Sequence, residues 1–138
     1  MTAPRIALVT STEALPLDED LAPLREACAA EGMDAEPVVW DDSHANWRGY
    51  QAAVLRSTWD YVPRLPNFLV WAEAVSRQTR LFNSRDVVRW NTDKHYVADL
   101  ARAGVPVVPT SFVEPGEDAR AALEDFLAGR VAVGHTGP

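Results

Sequence analysis

The sequence predicts an α/β fold, a parallel sheet covered by helices on both faces. Short apolar runs, each closed by a polar stretch, alternate with segments whose apolar residues recur at helical spacing. Consecutive strands separated by helices require right-handed crossovers, and these carry helices to the faces of a parallel sheet.

The first run is Ile6-Ala7-Leu8-Val9, followed by Thr10-Ser11-Thr12-Glu13. A continuous apolar run of this length suits a strand buried on both sides. Asp20 is placed to cap a helix with Leu21, Leu24 and Cys28 on one face, Leu17 extending the stripe, Pro23 tolerated in the first turn and Gly32 as its end. Val38-Val39-Trp40, closed by Asp41-Asp42, is the second strand, and Ala52-Ala53-Val54-Leu55, closed by Arg56-Ser57-Thr58, the third. The polar ends of these two strands are expected to lie near each other. After Pro63 and Pro66, the i, i+3, i+4, i+7 pattern of Phe68, Trp71, Ala72 and Val75 predicts a helix, and Leu81-Phe82 a short fourth strand.

Beyond Asn83 the character changes. Residues 84–90 read as a short helix, and Asn91-Thr92-Asp93 as the cap of another, with Tyr96, Val97, Leu100 and Ala101 on its apolar face and Gly104 closing it. Two prolines keep residues 105–109 out of any central strand, leaving an edge or a connector that Phe112-Val113 extends. Asp118 is expected to cap a last helix bearing Ala119, Leu123, Phe126 and Leu127 on one side, and residues 131–138 to form a short strand at most.

The composition excludes several functions. A formal net charge of −7 over 138 residues, with no cluster of basic residues, repels nucleic-acid phosphates and anionic lipid. No apolar run approaches the roughly 20 residues that span a bilayer, and no signal pattern precedes the first strand, so a cytoplasmic protein is expected. Cys28 is the single cysteine and has no partner for a disulfide. The glycine fingerprints of dinucleotide and phosphate loops, the G-x-S-x-G elbow and H-E-x-x-H are all missing, and His44, His95 and His135 lack metal-ligand spacing. Neither a metal site nor a catalytic residue is assigned.

Ligands of open parallel sheets sit at the carboxyl ends of the strands. That rule selects residues 10–12 with Thr12 foremost, Asp41, Asp42, residues 56–61, and Asn83. Arg56-Ser57-Thr58-Trp59-Asp60-Tyr61 is the densest cluster: Arg56 could pair bidentately with a carboxylate, Asp60 could meet an ammonium, and Trp59 and Tyr61 could wall off water. The same residues also suit a purely structural role, with Arg56 paired to Asp60 and both rings in the core. Lys94 is the only lysine among thirteen basic residues and is expected in the first turn of its helix, where the dipole disfavours a cation unless an anion binds. A solvated lysine offset by Asp93 is the plainer reading.

Residues 89–96, Arg-Trp-Asn-Thr-Asp-Lys-His-Tyr, followed by Ala103-Gly104-Val105-Pro106-Val107-Val108-Pro109-Thr110, resemble the ATP-grasp superfamily. Together with Trp40-Asp41-Asp42 and residues 56–61, the chain is similar to its glutathione-synthetase-like branch, near the D-cycloserine-forming ligase group. The resemblance implies a Rossmann-like pre-ATP-grasp domain at residues 1–90 and the incomplete start of an ATP-grasp domain at 91–138. It further implies ATP and Mg²⁺ as cofactors, Lys94 against nucleotide phosphates, and carboxylate activation to an acyl phosphate followed by amine attack. The substrate it implies is a small amino-acid-like molecule met by Thr12, Arg56, Thr58, Trp59, Asp60, Tyr61 and Asn83. The second nucleotide lysine and the acidic metal lobe of that family have no counterpart in these 138 residues, so the expectation is the N-terminal portion of a ligase, inactive alone. Two other readings compete: a non-catalytic binding module, dimerising to cover an open edge, and a small nucleotide-dependent enzyme using Asp41 or Asp42 on a ribose.

Overall fold

The computed structural model describes residues 2–129, and the expected strand at residues 131–138 lies outside them. The chain divides between Arg89 and Trp90 into two compact units.

The first unit is a four-stranded parallel sheet in the order β2-β1-β3-β4, with β1 Arg5–Thr10, β2 Asp34–Val39, β3 Ala52–Ser57 and β4 Arg80–Phe82. Helix α1, Leu21–Ala30, links β1 to β2, and α2, Leu65–Ser76, links β3 to β4. Along β1 the side chains alternate between two cores. Leu8 packs with Leu21 and Ala35 against α1, while Ala7 and Val9 pack with Phe68, Ala72 and Val75 against α2. The sheet is therefore covered on both faces, as the apolar runs predict. Pro37 falls within β2, which is an edge strand with a free side where a missing donor costs nothing.

The larger core is aromatic. Trp40 meets Phe68 edge-on at 5.3 Å and Trp71 at 5.9 Å, Trp47 meets Trp71 at 5.5 Å, and Phe68 stacks on Trp71 at 5.3 Å. Helix α1 differs from expectation at its start. Asp20 occupies the cap position without a capping bond, because its carboxylate is drawn to Arg56, and Leu17 stands 65% exposed outside the helix. Gly32, with φ +75°, ends α1 in the left-handed conformation open to glycine.

Helix α3, Arg85–Asn91, follows β4 and buries Val88 in the aromatic core. The second unit holds α4, Tyr96–Arg102, and α5, Ala119–Leu127, joined by an extended connector. Gly104, with φ +78°, ends α4, and Asp118 Oδ1 caps α5 by accepting from the Arg120 and Ala121 backbone N–H groups at 2.9 and 3.1 Å. Residues 105–113 form no strand among the described residues. Of the two forms expected for this run, an edge or a connector, the structure has the connector, whose prolines lack the N–H donors of a ladder.

Candidate functional site

All four strands run the same way, so the carboxyl ends of β1, β2 and β3 share one edge of the sheet. The chain winds from β1 to β2 on one side and returns on the other through β3, which makes the β1/β3 junction the point where strand order reverses.

At that junction the hydroxyls close on each other. Thr10 Oγ1 lies 2.9 Å from Ser57 Oγ, the Ser11 N–H donates to the Ser57 carbonyl at 3.0 Å, and Ser11 Oγ accepts from the Ala14 N–H at 3.1 Å. All three side chains are completely buried, so they fasten the strand ends and launch the loop of residues 11–18. Arg56 secures the far end of that loop. Its Nη2 donates to Asp18 Oδ1 at 3.0 Å and to Asp20 Oδ2 at 2.8 Å. The side chain of Asp18 is 3% exposed, and a buried carboxylate is stable only when charge-paired, which this guanidinium achieves. Arg56 thus holds internal carboxylates, and the Arg56–Asp60 pair allowed by the sequence is replaced by these contacts.

The open space is next to this loop. A cleft of about 610 Å³ is lined by Thr12 and Glu13 after β1, by Asp41 after β2, and by Trp59, Asp60, Pro63 and Arg64 after β3. A six-residue 3₁₀ turn, Trp59–Arg64, brings the last group inward. Trp40 Nε1 donates to Asp60 Oδ1 at 2.9 Å, while Arg64 donates to Asp60 Oδ2 and, at 2.6 Å, to Asp41 Oδ2. The Arg64 guanidinium also lies over the Trp40 ring, 4.6 Å from its centroid. The hydrogen bond to Asp41 raises the Arg64 pKa above its ordinary value. Three carboxylates, Glu13, Asp41 and Asp60, face one guanidinium, so the cleft carries a net negative formal charge. This is how the polar ends of β2 and β3 come together: they span β1 through Asp41, Arg64 and Asp60.

Thr12, Trp59 and Asp60 therefore line the cleft, with Trp59 57% exposed. Thr58 precedes the 3₁₀ turn without a capping bond, and Tyr61 packs on Phe68 at 5.2 Å in the core. Asn83 is exposed beyond β4 and does not line the cleft. Glu13, Pro63 and Arg64 are the lining residues that the strand-end rule did not select. The i, i+4 spacing of Asp60 and Arg64 was the available signal.

Lys94 belongs to the second unit. It precedes α4 rather than occupying its first turn, since the helix begins at Tyr96, and its Nζ donates to the Asn91 carbonyl at 3.4 Å beside the Tyr96 ring. Its neighbour His95 stacks on Phe112 at 4.3 Å, with Nδ1 2.7 Å from Asp93 and Nε2 2.9 Å from Glu114. The bond to Asp93 leads in raising the His95 pKa. Among the described residues, no group of three His, Cys, Asp or Glu side chains could hold a metal ion, and no helix is long and apolar enough to cross a membrane.

Residues 6–83 match the family model of the D-cycloserine synthetase DcsG N-terminal domain. The chain belongs to that family. The matched interval runs from Ile6 in β1 to the residue after β4, so it contains the sheet apart from Arg5 and every residue lining the cleft. The cycloserine biosynthesis protein DcsG of Streptomyces lavendulae is 49% identical over 125 residues. A crystal structure of D-cycloserine synthetase DcsG superposes with a TM-score of 0.77 at 48% identity. In each case 91% of this chain is covered, and it spans 42% of the length of the relative. The likeness to DcsG is longer than the family interval and so continues into the second unit.

Proposed function

We propose that this chain is the substrate-recognition portion of an ATP-dependent carboxylate–amine or cyclising ligase of the ATP-grasp superfamily, working in the cytoplasm on a small amino-acid-like molecule. The observation that carries the reading is the acidic cleft at the sheet's carboxyl edge, in a chain of the DcsG N-terminal family. A primary ammonium is attracted by Glu13 and Asp41, whose carboxylates outnumber the local cation. The exposed face of Trp59 covers the body of the ligand and keeps water from it. Arg64 stays fixed between Asp41 and Asp60 and orients both, and Arg56 acts on the site through Asp18 by holding the loop that carries Thr12 and Glu13.

ATP with Mg²⁺ supplies the activation of a carboxylate in such ligases. Lys94 is the residue proposed to face nucleotide phosphates, and the chain by itself is proposed to recognise substrate without ligating it.

Calorimetric titration of the chain with small amino acids, and separately with Mg·ATP, tests this. Binding of an amino acid, weakened by Glu13→Gln and by Asp41→Asn, is the expected result. Saturable binding of Mg·ATP with none of any amino acid overturns it.

A further inference from the structure

Two guanidiniums stand near the carboxyl ends of the strands, and each already faces two carboxylates. Arg56 meets Asp18 and Asp20 at 3.0 and 2.8 Å and does not line the cleft. Arg64 is the one basic side chain among the described residues that line it. Its terminal nitrogens donate to different carboxylates, Nη1 to Asp41 and Nη2 to Asp60, and its face lies over the Trp40 ring. A ligand carboxylate gains Arg64 only by displacing one of these partners. Asp60 resists, because its side chain is 12% exposed and its other oxygen accepts from the buried Trp40 N–H at 2.9 Å. Asp41 is more open, but its release leaves it and Glu13 without a counter-charge beside an incoming anion.

The rest of the lining disfavours a carboxylate as well. Three carboxylates against one guanidinium leave a net formal charge of −2, and the exposed ring of Trp59 presents the negative face of its quadrupole. Thr12 contributes a neutral hydroxyl, which serves an amide carbonyl as readily as a carboxylate.

We infer that the cleft holds its ligand by the ammonium alone, and that the carboxylate of an amino-acid-like ligand points out of the cleft, paired with neither Arg56 nor Arg64. The inference rests on the proposed substrate class and goes further, since it makes the cleft a site for primary amines that does not require an acid. Glu13 meets the ammonium together with Asp41, through the oxygen that Arg64 does not take, and Trp59 covers the carbon chain. The carboxylate stays free for the activation proposed above. A guanidinium held against it would lower its basicity and oppose that step.

Calorimetric titration of the 138-residue chain compares alanine and serine, each in both hands, with the corresponding amides and N-acetylated acids. A pH of about 6 keeps the amine of each amide charged. The amides should bind within about threefold of the free amino acids or more tightly, and the N-acetylated acids more than about tenfold more weakly. Arg64→Lys keeps the charge and loses the fork, so it should leave the ratio of amide to acid affinity within about threefold of its original value. Three results overturn the inference while leaving the proposed substrate class standing: amides weaker than the acids by more than about threefold, N-acetylated acids within about tenfold of the free ones, or a ratio that Arg64→Lys moves beyond about threefold. A chain that binds neither amino acid nor amide overturns both.

Discussion

Trp40 Nε1 donates to Asp60 Oδ1 at 2.9 Å, joining the end of β2 to the turn after β3 across the intervening β1. Trp40 is 3% exposed, so its indole N–H has no water to turn to, and the orientation of Asp60 at the cleft is fixed by the core beneath it. We predict that Asp60→Ala destabilises the chain by about 1–3 kcal/mol, the cost of a buried donor left unsatisfied. Asp60→Asn retains an acceptor for Trp40 and should cost less, while still weakening amino-acid binding through the lost charge. Urea denaturation and calorimetry on the two variants separate these effects.

Phe68 contacts Trp40, Tyr61 and Trp71 and is 3% exposed. Phe68→Ala should lower the unfolding free energy by about 3–5 kcal/mol, because it opens a cavity among rings that have no smaller arrangement available. Loss of near-ultraviolet circular dichroism at a lower urea midpoint reads the outcome, and an unchanged midpoint would contradict the assigned packing.

His95 ties the connector to the start of α4 through Asp93 and Glu114, with Phe112 stacked on its ring. The bond to Asp93 leads in raising its folded pKa above the unfolded value of about 6.5. A raised histidine pKa contributes stability that is complete below the unfolded pKa and disappears as pH rises through the folded pKa. Lys94, adjacent in sequence, adds positive charge that opposes this shift. Hydrogen exchange of the second unit should therefore accelerate as pH rises above about 6.5, beyond the intrinsic base-catalysed increase, and His95→Gln should remove that excess. An excess that survives the substitution would refute the assignment.

Lys94 is exposed and makes one long hydrogen bond, so Lys94→Ala should leave the urea midpoint unchanged. In a full-length ligase carrying this segment, the same change should raise the KM for ATP by about tenfold or more, as loss of a charged phosphate contact does. Unaltered ATP kinetics would remove Lys94 from the nucleotide site.

Asp118→Ala removes the acceptor for two free N–H groups of α5 and should cost that helix about 1 kcal/mol. The readout is faster amide exchange confined to residues 119–127, with β1 and β3 unaffected.

The sheet was legible in the sequence because burial on both faces leaves continuous apolar runs, and the helix between β3 and β4 because its apolar residues recur with the helical period. Cap chemistry was legible where it is local: Asp118 reaches N–H groups two and three residues away. Asp20 was read as a cap by the same rule and does hold the cap position, but it makes no capping bond, since Arg56, 36 residues distant, takes its carboxylate. The rule that ligands sit at strand ends selected Thr12, Asp41, Trp59 and Asp60, which line the cleft, but it could not distinguish them from Tyr61, whose ring packs against the core.

The sequence by itself determined the α/β class, the order of elements and the edge of the sheet where polar residues gather, because hydrophobic periodicity and turn chemistry act over a few residues. Only the tertiary structure decided which charges pair. Arg56 with Asp18 and Asp20, and Arg64 with Asp41 and Asp60, are contacts between segments brought together by strand order. A charge selects its partner by distance and desolvation in space, and no spacing along the chain encodes either.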